Sequence, residues 1–154
     1  MKLLRTILHP TDFSELSNRA LERAVTLARE HGARLVLFHV HEPQEVIEGE
    51  FGMLPPEPEH DDEALLAELL RLAPADCPFR VECRVARGVV VEEIVRAAKD
   101  TQSDLIVMAT HGPRNFFTSL FHANIAEHVK KEAPCEVMAV EATPVEHEQA
   151  AYQE

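Results

Sequence analysis

The residues best suited to chemistry gather in two turn-forming stretches, Pro10-Thr11-Asp12 and Ala109-Thr110-His111-Gly112. If the fold brings these together, Asp12 and His111 form a carboxylate–imidazole pair able to exchange a proton with a ligand. A hydrolase needs more, namely a positioned nucleophile and donors aimed at the developing charge. The chain has no G-x-S-x-G elbow, no complete G-x-x-x-x-G-K-[ST] loop and no H-E-x-x-H helix. No catalytic residue is therefore assigned, and the two stretches read as walls of a binding crevice. Arg114 could approach a phosphate there, although a solvated loop arginine is the simpler reading.

Nine histidines raise the question of a metal. His39 and His41 stand two apart on an apolar run and could face the same way. His9 and His111 sit at the ends of two candidate strands. Zinc accepts such ligands, but no His or Cys cluster has a finger-type spacing, so no metal site is expected. Cys77, Cys83 and Cys135 are odd in number and contain no C-x-x-C pair. They read as small apolar residues in a reducing compartment.

The 154 residues carry a formal net charge of −12. Nucleic-acid binding draws affinity from Lys and Arg on phosphates, so this surface disfavours nucleic acid and anionic membranes alike. With no Trp and a single Tyr, the chain also lacks the exposed rings of a base-stacking platform. The apolar run in Met1–Leu8 is too short for a signal peptide. No apolar run approaches the ~18 residues that span a bilayer. A cytoplasmic location is the expectation.

Alternating strands and helices must position these residues. Leu3 to Leu8 reads as a buried strand that His9-Pro10-Thr11-Asp12 breaks. Ser14 caps a helix whose inner face is Leu16, Ala20, Ala24, Leu27 and Ala28, and Gly32 suits its left-handed stop. Leu35 to Val40 is a continuous apolar run, as in a strand covered on both faces. Glu42 to Glu63 is an acidic, proline-rich loop ending in a first helical turn, Glu59 to Glu63. Leu65, Leu66, Leu69, Leu70 and Leu72 then face a core, and Pro74 ends that helix. Phe79 to Arg87 alternates as a strand near an edge, and Val91 to Lys99 forms a third helix. Asp104 to Ala109 is a buried strand, Thr110 to Phe121 a loop, Ala123 to Glu132 a helix and Pro134 to Val140 a fifth strand. The implied fold is α/β, with right-handed crossovers and a doubly wound parallel sheet. Ligands of such sheets sit past the carboxyl ends of the strands where the strand order reverses. The first and fourth strands are the natural pair to flank that point. One domain spans residues 1–141, followed by an acidic, frayed tail over 142–154.

Five segments in this order resemble the universal stress protein family: Ile7 to Ser14, Leu37 to Val40, Asp104 to Gly112, Ala126 to Val129 and Ala133 to Val137. The resemblance implies a five-stranded sheet of order 3-2-1-4-5, of the adenine nucleotide alpha hydrolase-like type. It also implies a stress-response role without enzymatic activity, exercised through protein partners. Family members that bind ATP resemble one another in a Gly, two residues, Gly, nine residues, Gly, Ser or Thr pattern. The spacing survives here, but its positions are Ala109, Gly112, His122 and Ala123. A methyl, an imidazole and a second methyl thus replace bare backbone and a hydroxyl. By resemblance, Pro10, Thr11 and Asp12 lie at the adenosine end, the Val40 backbone meets the adenine, and Met108 lies alongside. No cofactor is expected, and ATP or AMP would bind with weakened affinity in a degenerate crevice. The alternatives are an ATP- or AMP-occupied switch and a slow ATP hydrolase. The resemblance further implies a homodimer paired through the Cys135–Val140 strand.

Overall fold

The apolar runs of the sequence become the central strands of one sheet. The computed structural model describes residues 2–42, 62–110 and 125–141. Its elements alternate as β1 (Thr6–Pro10), α1 (Glu15–His31), β2 (Arg34–His41), α2 (Asp62–Leu72), β3 (Val81–Arg87), α3 (Val90–Thr101), β4 (Leu105–Thr110), α4 (Ile125–Glu132) and β5 (Glu136–Glu141). All pairings are parallel, in the order β3-β2-β1-β4-β5. This is the expected doubly wound topology, with β3 at an edge. The expected acidic loop falls largely on residues 43–61 and the expected tail on 142–154, both outside the described residues.

Side-chain alternation along the strands separates two cores. On one face Ile7, Leu35, Leu37, Leu105 and Val107 pack under α1 and α2. On the other, Leu8, Val36, Phe38, Ile106 and Met108 pack under α3 and α4. Helix α1 meets the sheet through Ala20, Ala24 and Ala28, all 0% exposed, whose small side chains allow close approach. Its ends follow local rules. Ser14 Oγ accepts the Ser17 amide at 3.1 Å, and Gly32 takes the left-handed conformation, φ 64°. Leu21 is also buried on this face, a position the sequence reading passed over.

Two expectations are corrected. The first strand runs Thr6–Pro10, all buried, rather than Leu3–Leu8, and Leu3 is 64% exposed. It begins where the Asp104 carboxylate accepts the amides of Arg5 and Thr6, at 2.9 and 3.0 Å. It continues through Pro10 because only alternate residues of β1 bond to β2. The Arg5 carbonyl and the Thr11 amide carry those rungs, so the missing Pro10 amide falls on the side of β4. The second correction concerns α2. Leu69 is fully buried, but Leu66 and Leu70 are 37% and 59% exposed. A helix resting on β2 and β3 buries one narrow stripe, and the helical period turns the 66/70 pair away from it.

Replacing Leu69 with Ala should cost about 2–5 kcal/mol, because it opens a cavity in the core. Leu70→Ala should stay within about 0.5 kcal/mol of the parent. Urea unfolding of both variants checks this, and equal losses would contradict the burial of α2.

Candidate functional site

The crevice arises from how β1 and β4 are paired. The chain leaves β1 for α1 on one face of the sheet and leaves β4 for α4 on the other, so their seam is the point of topological reversal. The register there is short. Ile7 opposes Leu105 and Leu8 opposes Ile106, and the pairing ends. On the outer sides the ladders run further, to Pro10 opposite Phe38 and to Thr110 opposite Glu141. The carboxyl ends of β1 and β4 therefore part, leaving a crevice of about 270 Å³.

Its walls hold Pro10, Thr11 and Asp12 from the end of β1, Met108 and Ala109 from β4, and Val40 from β2. These six residues were expected at the site, and the fold brings them to one crevice. The other three, Gly112, His122 and Ala123, lie outside the described residues, as do His111 and Arg114. Ser17, His39 and Ile94 also line the crevice.

The turn after β1 is held from within. Asp12 Oδ1 accepts the Ser14 amide at 2.9 Å and the Ser17 hydroxyl at 2.6 Å. An aspartate is suited to this because its short carboxylate reaches amides two residues ahead. Asp12 thus braces the start of α1 while remaining exposed to the crevice. Phe13 adopts φ 65°, a left-handed conformation costly for a bulky residue. Its amide donates to Thr11 Oγ1 at 3.0 Å. Its ring lies tilted against His39, centroids 4.6 Å apart. His39 Nδ1–H in turn donates to the Thr11 carbonyl at 2.8 Å. His39 therefore serves as a strut for the Pro10–Asp12 wall. Among the described residues no group of three or more His, Cys, Asp or Glu side chains is placed to hold a metal ion.

Sequence reading missed these roles of His39 and Phe13, and that of His9. His9 is 0% exposed on the α1 face of β1. Its Nδ1 lies 2.8 Å from the Val107 carbonyl, which can only accept, so Nδ1 carries the proton. Its Nε2 has no partner among the described residues. Burial pulls this imidazole down from 6.5 to about 4, against the opposing pull of the Val107 bond and Asp12. Burial also raises the thiols of Cys83 and Cys135 above their ordinary range, with acidic neighbours adding to it, which fits unreactive side chains.

A larger cavity of about 990 Å³ opens at the far end of the molecule, among Leu4, Leu27, Gln102, Ser103, Asp104 and Cys135. It lies at the amino ends of β4 and β5, the wrong end of an open parallel sheet for a ligand site. The smaller crevice is the candidate.

Comparison with known proteins gives a consistent result. The model of the universal stress protein family matches residues 4–141. A universal stress protein of Thermus aquaticus, encoded in a QAH/OAS sulfhydrylase 3' region, is 34% identical over 146 residues, covering 90% of this chain and 99% of that one. Universal stress protein MJ0577 of Methanocaldococcus jannaschii is 26% identical, covering 90% of this chain and 95% of its own. Among solved structures, that of MJ0577 superposes with a TM-score of 0.67 at 22% identity, over 92% of this chain and 99% of that one. A universal stress protein in complex with cAMP also gives 0.67, at 20% identity, over 92% of this chain and all of the other (100%). These structures share the fold.

The state of His9 predicts an acid-sensitive fold. The folded protein keeps His9 neutral down to about pH 4, whereas the unfolded chain takes up the proton near 6.5. Between these values the unfolded state binds more protons. Stability is complete above pH 6.5 and drains away as pH falls toward 4, by up to roughly 3 kcal/mol. In His9→Leu that part of the slope should vanish. Unfolding free energies of parent and variant across pH 4–7 test this, and parallel curves would refute it.

Proposed function

The chain belongs to the universal stress protein family, and from this we propose that it is a cytoplasmic stress-response protein that binds rather than catalyses, with a crevice fitted to adenosine but poorly to polyphosphate. What supports this reading is a contrast between the residues that line the crevice and the sequence of the phosphate pattern. The residues expected at the adenosine end, Asp12, Val40 and Met108, all line the crevice. Support for weak phosphate binding is of two kinds. A helix N-terminus ordinarily supplies anion-binding amides, but at α1 the Ser14 and Asp12 side chains already engage the first turn. In sequence, His122 and Ala123 replace the glycine and hydroxyl of the phosphate pattern. One hydrogen bond to a charged group is worth roughly 1.5–3 kcal/mol, so its loss alone weakens binding about tenfold or more.

The relative solved with cAMP supports a nucleotide-sized occupant, and so favours a second reading in which AMP or ATP occupancy switches the protein. A slow ATP hydrolase is the third. Turnover abolished by Asp12→Ala would favour it.

The protein acts through partners, and as a homodimer joined along Cys135–Val140. Strand β5 is a sheet edge whose Val137, Met138, Ala139 and Val140 are only half-buried, and an apolar edge invites pairing. Nucleic acid and membranes are not partners on this reading. The net charge of −12 supports that, and among the described residues no helix is long and apolar enough to cross a membrane.

Titration with a fluorescent ATP analogue tests the proposal. The parent should bind weakly, and the combined Ala109→Gly, His122→Gly and Ala123→Ser variant should bind about 100-fold more tightly. Low-micromolar binding by the parent, or no gain in the variant, would sink it.

A further inference from the structure

Pro10 leaves a defect at the centre of the sheet. The odd-numbered residues of β1 bond to β2, so the even-numbered ones serve β4. With Leu8 opposite Ile106, the next rung of a parallel ladder runs from the amide of residue 10 to the carbonyl of Val107. Proline has no amide proton to give. Val107 is 0% exposed, so its carbonyl cannot turn to bulk water instead. The proton it accepts comes from the neighbouring side chain, His9 Nδ1–H, at 2.8 Å.

We propose that His9 is a surrogate backbone donor that replaces the missing Pro10 amide and so sets the width of the crevice, acting as a positioning residue for a ligand held between Thr11 and Met108. The bond joins β1 and β4 one residue below Pro10 and one residue below Met108, at the foot of both crevice walls. A backbone rung would draw the strands to ladder distance and close the cleft. An imidazole spans a longer gap with the same acceptor satisfied.

The cost of the arrangement supports this role. His9 Nε2 is buried with no partner among the described residues, and an orphaned buried acceptor is destabilising. A leucine or phenylalanine would fill the space without that penalty but would leave Val107 unbonded. Packing alone therefore does not account for the imidazole, whereas supplying one directed proton does.

This inference rests on the reading that the crevice holds a ligand, and the experiment separates the two. Long-range ¹H–¹⁵N spectra of the labelled parent should show His9 neutral and protonated on Nδ1. Amide shifts of Thr11, Met108 and Ala109 should move in His9→Leu without added ligand. In titrations with adenosine, His9→Leu should weaken binding about five- to tenfold. His9→Asn, whose amide nitrogen stands near the place of Nδ1, should recover most of the loss. Protonation on Nε2, unmoved Thr11, Met108 and Ala109 amides, or adenosine binding by His9→Leu within about twofold of the parent would each overturn it. A parent that binds no adenosine would defeat the functional proposal, while the tautomer and the amide shifts would still decide the role of His9.

Discussion

The seam between β1 and β4 has to hold and to open within a few residues. It lies in the middle of a five-stranded sheet, where an unmade rung buries polar groups without water to replace their partners. Yet the ligand position of a doubly wound fold is at this seam. Proline resolves the conflict on one strand. On the β2 side the ladder continues unbroken to Thr11, whose amide reaches the Phe38 carbonyl at 2.8 Å. On the β4 side Pro10 simply lacks the donor that would zip the strands together. Pairing to β4 ends while pairing to β2 persists, so β1 stays in the sheet and the crevice opens beside it. Proline is usually confined to sheet edges for this reason. Here the seam serves as an internal edge.

The turn that follows converts this opening into a shaped wall. Thr11 is pinned at its amide by Phe38 and at its carbonyl by His39. Asp12 is fixed by the Ser14 amide and the Ser17 hydroxyl. Its negative charge sits beside the start of α1, where the helix dipole favours it. The same arrangement answers an electrostatic demand that a bound phosphate would otherwise meet. A helix start already complemented by its own carboxylate has less to offer an external anion. In a chain of net charge −12, that loss is not offset by long-range attraction.

The order of elements and the sheet topology were legible because period and punctuation agreed. Continuous apolar runs such as Leu35–Phe38 read as buried strands, and Ser14 and Gly32 bracket α1 where it begins and ends. The misreadings have a common physical origin. By composition alone Pro10 reads as a strand breaker, whereas a parallel ladder uses each residue's amide on one side only. The leucines of α2 were all turned inward, although a helix on a sheet edge has room to bury one stripe. The crevice residues Pro10, Thr11, Asp12, Val40, Met108 and Ala109 were legible through family resemblance. The tasks of His9 and His39 were not, because each donates across strands to a carbonyl that register alone brings near. A lone histidine in a buried strand directly before a proline is the one local sign that a side chain is standing in for a lost amide.

Strain in this molecule is not spread evenly, and its location bears on function. Elsewhere Gly32 takes the left-handed cap without strain, and positive φ recurs singly at Asp76 and at Gln102, whose amide bonds to Ala98 and Lys99 to end α3. Between residues 9 and 13 the costs accumulate. An imidazole nitrogen is buried without a partner among the described residues, a proline occupies a central strand, and a phenylalanine is held at positive φ. The imidazole satisfies Val107 at the cost of its own second nitrogen, while the proline and the phenylalanine have cheaper substitutes, a valine and a glycine. A sequence shaped for stability alone would use them, because local and global preferences then agree. The three costs adjoin one crevice wall, and each fixes part of its geometry: its distance from β4, its opening, and the ring that backs His39. Strain placed this way is what a preorganised binding surface requires.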